Sequence, residues 1–188
     1  MAKAKVDDKV LLDRLTRVFR TYGFEGASLS RISEATGLQR ASLYHRFPGG
    51  KEEMAEAVLA RAAHWLGQHA LGPLEGTGDP ATRLKRMTRS LREFYVSGKQ
   101  SCLLDALSFD DATGAVQDHV RDAMDHWIAS LARIAREAGL SPSAARHWGE
   151  DTVVRIQGAL VVARSTGKTG VFERVLREVP GSLGGKES

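Results

Sequence analysis

Apolar residues recur at three- and four-residue spacing along nearly the whole chain, which is the pattern of amphipathic α-helices. The first run covers residues 7–22 and stops at Gly23, where glycine suits the left-handed conformation that closes many helices. No segment of the sequence shows the strict alternation of apolar and polar residues that marks a half-buried strand. The pattern therefore predicts an all-α fold.

Two short helices follow the first one. Ser28 is a good N-cap for a second helix, which Gly37 closes. A third helix places Leu43 and Phe47 four residues apart on one face and ends there because a proline follows. This spacing predicts a helix-turn-helix over about residues 29–47, inside an N-terminal domain of residues 1–60.

The rest of the chain, residues 61–188, reads as a larger helical domain. Its segments have helical spacing over about 51–71, 84–94, 102–107, 116–138, 142–165 and 172–179. Asp79-Pro80 and Ser141-Pro142 each pair an N-cap residue with a proline at the first helical position. The Gly- and Ser-containing tail after Pro180 is expected to fray.

The positive charge is confined to the N-terminal part. Residues 1–51 contain ten Lys and Arg against five Asp and Glu, whereas the remainder contains 17 against 18. A local positive field is typical of a surface that meets phosphates, although a solvated basic face would give the same count.

Two classes of protein are disfavoured by composition. No stretch of about 18 uninterrupted apolar residues is present, and the N-terminus lacks the apolar core of a signal peptide, so we expect a cytoplasmic protein that does not cross a membrane. Cys102 is the only cysteine, which excludes an intramolecular disulfide, and its leucine-rich setting favours a buried thiol.

A helical wheel at about 100° per residue shows what the third helix offers. With Leu43 and Phe47 facing inward, the polar and small residues lie on the outward side, from crest to flank: Ala41 and His45, then Ser42 and Tyr44, then Arg40 and Arg46. Small groups on the crest suit base edges in a major groove, and cations and hydroxyls on the flanks suit the phosphate walls. The Pro-Gly-Gly turn that follows would bring Lys51 and the amides of the next helix toward a phosphate.

Each of these assignments has an ordinary alternative. Tyr44 could rest its ring on the fourth helix, and Ser42 and His45 could be surface polar groups without a partner. Arg40 could contact either a base or a phosphate, and the residues alone do not decide between them.

The three helices resemble the DNA-binding domain of the tetracycline-repressor (TetR) family of bacterial regulators. The resemblance rests on YGFEGAS, LSRISEATG and LQRASLYHRFPGGKEEM in this order, and it covers about residues 7–60. The Gly-Gly before Lys51 makes the turn one residue longer than the usual F-x-x-K, as in a branch related to lincomycin-resistance repressors. The resemblance implies that Ser30 and the Arg40–Arg46 crest meet DNA, that Tyr44 and Lys51 hold phosphates, and that the protein is a repressor.

A single short helix reads few base pairs, so such proteins bind a palindromic operator as twofold dimers. The predicted dimer surface uses apolar residues of the last two helices: Trp148, Ile156, Leu160 and Phe172. The alternative is that these residues form the ordinary core of a monomer.

Bulky side chains in the middle helices predict an apolar cavity for a small effector: Trp65, His69, Met87, Phe94, Phe109, Met124 and Trp127. His69, His126 or Arg155 would be its polar anchor. Solid packing is the competing interpretation.

Two rival classes were weighed against a regulator. An enzyme is disfavoured because the chain has no Glu-x-x-His pair, Gly-rich phosphate loop or G-x-S-x-G elbow, so we expect neither catalysis nor a cofactor. His119, Asp122 and His126 share one helical face and leave a lone metal site open, although a solvated polar face is the favoured explanation. An architectural DNA-binding protein is the second rival.

Overall fold

The computed structural model describes residues 6–108 and 114–184 of the chain. Its regular elements there are helical, and these residues contain no strand, which confirms the predicted all-α class. The helices are α1 (Asp8–Gly26), α2 (Leu29–Thr36), α3 (Arg40–Arg46), α4 (Gly50–Leu66), α5 (Gly72–Glu75), α6 (Pro80–Phe94), α7 (Leu103–Ala106), α8 (Gly114–Glu137), α9 (Pro142–Thr166) and α10 (Gly170–Glu178).

The chain divides into two compact units. Of the described residues, the first contains 6–62, 103–108 and 114–121, and the second contains 63–102 and 122–184. The first break lies close to the predicted boundary at residue 60. However, 103–121 belongs to the first unit, because α7 packs against α1, and no local sequence signal announces that long-range contact.

The first unit forms because each helix start and stop has its own local chemistry. Asp7 caps α1 by accepting a hydrogen bond from the Lys9 amide at 2.9 Å, and Ser28 caps α2 by accepting from the Arg31 amide at 3.3 Å. Gly23 interrupts α1 with a φ of 68°, so regular helix stops where the sequence predicts it.

Hydrogen bonds within α2 and from α1 stabilise the turn between α2 and α3. Gly37 is left-handed with a φ of 72°, which ends α2 as predicted. Buried Thr36 donates its hydroxyl to the Ile32 carbonyl at 2.7 Å and accepts from the Leu38 amide at 3.3 Å. Arg14 of α1 then donates to the Thr36 carbonyl at 2.6 Å. The angle between α2 and α3 is therefore set by hydrogen bonds as well as by packing.

The predicted helix over residues 51–71 is interrupted in the structure. The α-helical part, α4, ends at Leu66, and residues 67–71 form a π-helical turn before α5. A π turn adds one residue to the backbone ring and leaves the spacing of apolar residues nearly intact, so the apolar pattern does not reveal it.

In the second unit, α10 packs against both α9 and α6. The predicted caps are present: Asp79 accepts from the Thr82 amide at 3.0 Å, and Ser141 accepts from the Ala144 amide at 3.3 Å. The expectation of a frayed tail after Pro180 is wrong up to Gly184, because residues 179–184 form a 3₁₀ helix.

Candidate DNA interface

The third helix has one buried side and one open side. Leu43 is fully buried, with 0% of its surface exposed, and Phe47 at the end of the helix is half-buried. The other side is exposed over all the predicted outward residues except Arg46: Arg40, Ala41, Ser42, Tyr44 and His45. The orientation derived from the helical wheel thus agrees with the structure, whereas contact of these residues with DNA stays a prediction.

Arg40 and Ser30 lie together at the edge between α2 and α3. The Arg40 Nη2 donates to Ser30 Oγ at 2.9 Å, and both residues are exposed. A guanidinium has five N–H donors, so one bond to a hydroxyl leaves most of them available. This contact holds the arginine near α2 while its remaining donors face outward.

Arg46 is less exposed than the other α3 residues predicted to contact DNA. Its Nη1 donates to Asp8 Oδ1 at 3.1 Å and its Nη2 to the Val6 carbonyl at 2.7 Å. Its side chain is only 19% exposed. The guanidinium therefore ties α3 to the start of α1, and its contact with DNA stays a prediction.

Lys51 lies at the start of α4, and its ammonium group contacts two residues of α1. The Nζ is 4.1 Å from the centre of the Phe24 ring and 3.7 Å from Glu25 Oε1. These contacts fix the direction of the side chain, since a cation over an aromatic face is attracted by the ring. The Glu25 carboxylate is the group that a DNA phosphate would have to replace or accompany.

Tyr44 and the Pro-Gly-Gly turn lie next to each other. Tyr44 is 46% exposed, and a methyl group on Gly50 would lie 3.4 Å from its ring carbon Cε1. The Gly49 amide donates to Glu53 Oε2 at 2.7 Å, so one of the amides predicted to face a phosphate already has a carboxylate partner. The tyrosine ring packs beside the turn, and a large part of the side chain remains accessible.

One supporting group was missed by the sequence reasoning. Arg31 of α2 donates to the Gly26 carbonyl at 2.6 Å and lies 4.5 Å above the Tyr22 ring. It reinforces the joint between α1 and α2, on which the orientation of α3 depends. A basic residue shortly after an N-cap can take several structural roles, so a single sequence does not indicate that Arg31 connects α1 to α2.

The predicted effector residues are partly brought together. Trp65 stacks on His69 and on Phe94, with ring centroids 4.6 and 4.7 Å apart. Trp127 is buried, and its Nε1 has no hydrogen-bond partner among the described residues. Met87 is also buried and Met124 is half-buried, whereas Phe109 lies outside the described residues.

The predicted dimer residues need correction. Ile156, Leu160 and Phe172 are buried within the chain itself, so they form protomer core and offer no surface to a second copy. Trp148 is half-buried and donates its indole N–H to Ser182 Oγ at 3.2 Å. The opposite side of α9 is exposed and includes valines at three positions: Val154, Val161 and Val162.

Other site types find little support in the described residues. They include no group of three or more His, Cys, Asp or Glu side chains placed to hold a metal ion, and His119, Asp122 and His126 do not form one. Cys102 is buried, as expected, and lies 3.5 Å from the Tyr95 hydroxyl. None of the described helices is long and apolar enough to cross a membrane.

Two family models match this chain. The model of bacterial regulatory proteins of the tetR family matches residues 11–58, which include α2 and α3. The model of the C-terminal domain of LmrA/YxaF-like transcriptional regulators matches residues 80–178, more than half of the chain.

Similar proteins extend these matches over most of the sequence. The HTH-type transcriptional regulator LmrA of Bacillus subtilis is 24% identical over 162 residues, which cover 81% of this chain and 84% of that protein. A TetR transcriptional regulator from Legionella pneumophila has the same fold, with a TM-score of 0.82, 16% identity, and coverage of 97% and 99% of the two chains.

A further solved structure contains DNA. It is a cysteine mutant of the TetR family regulator CifR with a 26-base-pair double-strand operator, and it is similar at 26% identity with a TM-score of 0.68, covering 94% of this chain and 98% of that one. With both family models and these relatives in agreement, the chain belongs to the TetR family of bacterial transcriptional regulators, in the branch with an LmrA/YxaF-like C-terminal domain.

Proposed function

We propose that this protein is a repressor that binds a palindromic operator as a homodimer in the cytoplasm and is released by a small apolar effector. The observation that carries the proposal is the open side of α3. One fully buried leucine, Leu43, holds the helix, while Arg40, Ser42 and His45 remain exposed. A helix attached by a narrow apolar side and open elsewhere has the geometry that enters a major groove.

The exposed residues divide into two roles. Arg40 lies at the N-terminal end of α3, the end that contacts base edges in helix-turn-helix proteins, and Ala41, Ser42 and His45 share the outward side with it. Tyr44 and Lys51 lie near the turn into α4, and the hydroxyl and ammonium groups suit phosphate oxygens. Ser30 supports Arg40 through their hydrogen bond and adds a hydroxyl at the same edge.

The short length of α3 supports a dimer. The α3 helix has only seven residues, so specific recognition requires a second copy placed about 34 Å away along the duplex. We assign the contact to the exposed side of α9, where Val154, Val161 and Val162 lie on one side of the helix with Gly158 between them. A small residue in the middle of an apolar side lets a partner helix approach closely.

Effector control is assigned to the second unit. The stacked rings of Trp65, His69 and Phe94 provide an aromatic surface, and the buried Trp127 N–H is a donor that an effector acceptor could satisfy. An unpartnered buried donor costs about 1–3 kcal/mol, which binding of an acceptor would recover. The effector would release DNA if it binds better to the dimer whose recognition helices do not match the operator.

The test begins with selection of an operator from random double-stranded DNA by the purified full-length protein. A specific repressor should prefer its selected palindrome over random DNA by about 10³-fold or more. Arg40→Ala should weaken the selected site by about 1–3 kcal/mol and relax the preference at one or two base positions. Lys51→Ala should weaken all sequences alike and reduce the salt dependence by about one unit of slope.

Matched controls separate these effects from a general loss of charge. Arg136→Ala and Lys85→Ala remove the same charges from exposed positions of α8 and α6, and they should leave both specificity and salt dependence unchanged. Selection that recovers no preferred sequence would favour an architectural DNA-binding protein over a repressor. Equal losses on every sequence for Arg40→Ala and Lys51→Ala would contradict base reading by Arg40.

A further inference from the structure

The second unit contains a cleft that shares one residue, Val161, with the proposed dimer surface of α9. It has a volume of about 460 Å³ and is lined by Gly98, Lys99, Val161, Arg164, Ser165 and Thr169, among others. These residues come from the loop after α6, the C-terminal part of α9, and the position before α10. None of the predicted effector residues lines it.

The charge of this cleft has one sign. Its lining includes the cations Lys99 and Arg164 and no acidic residue. Within residues 6–108 and 114–184, neither cation forms an ion pair, whereas Arg92, Arg155 and several other arginines of the unit do. Both cations are exposed, so their positive charge is available to a ligand.

Two hydroxyl side chains, Ser165 and Thr169, also line the cleft. Thr169 precedes α10, but its side chain makes no capping hydrogen bond to that helix, and Ser165 has no side-chain hydrogen bond among the described residues. The polar side chains of the cleft can thus all donate hydrogen bonds, and the carboxylates that would compete for them are missing from its wall.

The loop that presents Lys99 is held in an unusual backbone conformation. Val96 and Ser97 have φ values of 47° and 54°, and Gly98 follows with 87°. A left-handed β-branched residue is a rare and strained arrangement, which persists only where the surroundings enforce it. Here the Ser97 amide donates to the Arg92 carbonyl at 2.8 Å, and a methyl group on Gly98 would lie 3.0 Å from Phe172. The loop is therefore packed tightly against α10, and the backbone of Lys99 is fixed at the cleft.

We propose that this cleft, defined by Lys99, Arg164, Ser165 and Thr169, binds a phosphorylated small molecule. A phosphate dianion has enough acceptor oxygens for an ammonium group, a guanidinium fork and two hydroxyls. The cleft is much larger than a phosphate group, and its size is that of small-molecule sites, so it has room for the organic part of the ligand. This ligand differs in class from the apolar effector, and its binding does not depend on the repressor function.

The experiment is isothermal titration calorimetry on the full-length protein at low ionic strength. Pyrophosphate and glucose 6-phosphate are the probes, and glucose is the uncharged control. We expect the phosphorylated probes to bind with a Kd below about 1 mM and glucose not to bind. Lys99→Gln and Arg164→Gln should each weaken binding by about tenfold or more, because each removes a charge-assisted contact.

A second set of variants locates the binding. The DNA-reading side of α3 also attracts phosphate, so Arg40→Ala should leave probe binding unchanged if the cleft is the site. Lys85→Gln, which removes an exposed charge elsewhere on α6, should also have no effect. Circular dichroism melts would show that Lys99→Gln and Arg164→Gln remain folded.

Three results would overturn the proposal. They are absence of probe binding to the wild-type protein, undiminished binding in the Lys99→Gln and Arg164→Gln variants, and loss of binding in Arg40→Ala. Operator binding without a probe should be the same in Lys99→Gln as in the wild type. Failure of the cleft proposal is therefore distinguishable from failure of the repressor proposal.

Discussion

Replacing Val154 by aspartate should convert the proposed dimer into monomers without unfolding the protomer. Val154 is 68% exposed and lies on the side of α9 opposite to the buried Ile156. An aspartate there meets solvent in an isolated protomer, so the free energy of unfolding of the protomer should change little. In the proposed dimer, the same carboxylate would face the other copy.

The size of the effect can be worked from the exposed fraction. Full burial of a valine side chain stabilises by at least about 1.5 kcal/mol. Because about two-thirds of Val154 is still exposed in the protomer, its burial in the dimer would contribute ~1 kcal/mol per copy. Twofold symmetry doubles this gain to ~2 kcal/mol. Two carboxylates taken from water without partners add a penalty of about 1 kcal/mol or more each. A total near 4 kcal/mol corresponds to a roughly 10³-fold weaker dimer.

Sedimentation equilibrium over a range of protein concentrations measures this change directly. Val10→Asp is the matched control, because Val10 is also an exposed helical valine, 41% exposed, and it lies on α1 in the other unit. Binding to a complete palindrome should weaken in Val154→Asp, while binding to a single half-site should not. An unchanged dimer in Val154→Asp, or equal dissociation in Val10→Asp, would refute the assignment of the α9 surface.

Three further predictions concern the elements that support the two functions. Leu43→Ala should lower the free energy of unfolding of the first unit by about 2–5 kcal/mol, because it removes the side chain that fills the buried side of α3. Denaturant titration measures this change, and an unchanged unfolding midpoint would contradict the anchoring role of Leu43. Gly149→Ala should lower Tm, because the new methyl group would lie 2.9 Å from the Ile128 carbonyl oxygen. Gly170→Ala is the control, because a methyl group there meets open space and should leave Tm unchanged. Similar Tm values for the two variants would count against tight packing of α8 on α9. Asp79→Ala should lower Tm near neutral pH. Hydrogen bonds from Thr82 hold the pKa of the Asp79 carboxyl below its ordinary value, so its stabilisation is present above the unfolded-state pKa and is lost as pH falls through the folded-state pKa. Melts between about pH 7 and about pH 2.5 should therefore show the difference shrinking, and a constant difference would contradict this role.

The features that sequence predicted well are those with local causes. Ser28, Asp79 and Ser141 each accept a hydrogen bond from the backbone amide three residues later, so the residue and its effect lie within one turn of chain. Gly37 closes α2 through its own backbone conformation. The outward side of α3 was also predictable, because one buried leucine fixes the rotation of so short a helix.

The features that sequence did not reveal depend on distant residues. The hydrogen-bond partners of Arg46 are Asp8 and the Val6 carbonyl, about 40 positions earlier in the chain, and no local pattern indicates them. The first unit likewise recruits α7 from beyond residue 100. Periodicity shows which side of a helix is apolar, and it contains no information on which distant group will meet a polar side chain.

The α9 helix shows why apolar periodicity alone does not locate a dimer surface. Its apolar pattern is strongest at positions such as Val153, Ile156 and Leu160, and a buried apolar side looks the same whether it is covered by its own chain or by a second copy. In the structure the protomer covers that side itself. The weaker pattern of Val154, Val161 and Val162 stays exposed, and the proposed dimer contact uses it. It follows that Ile156→Asp should unfold the protomer, because it places a charge in the core, whereas Val154→Asp should leave a folded monomer. The two variants differ by only two positions along one helix, so their opposite outcomes would show directly which side of α9 holds the chain together and which side holds two chains together.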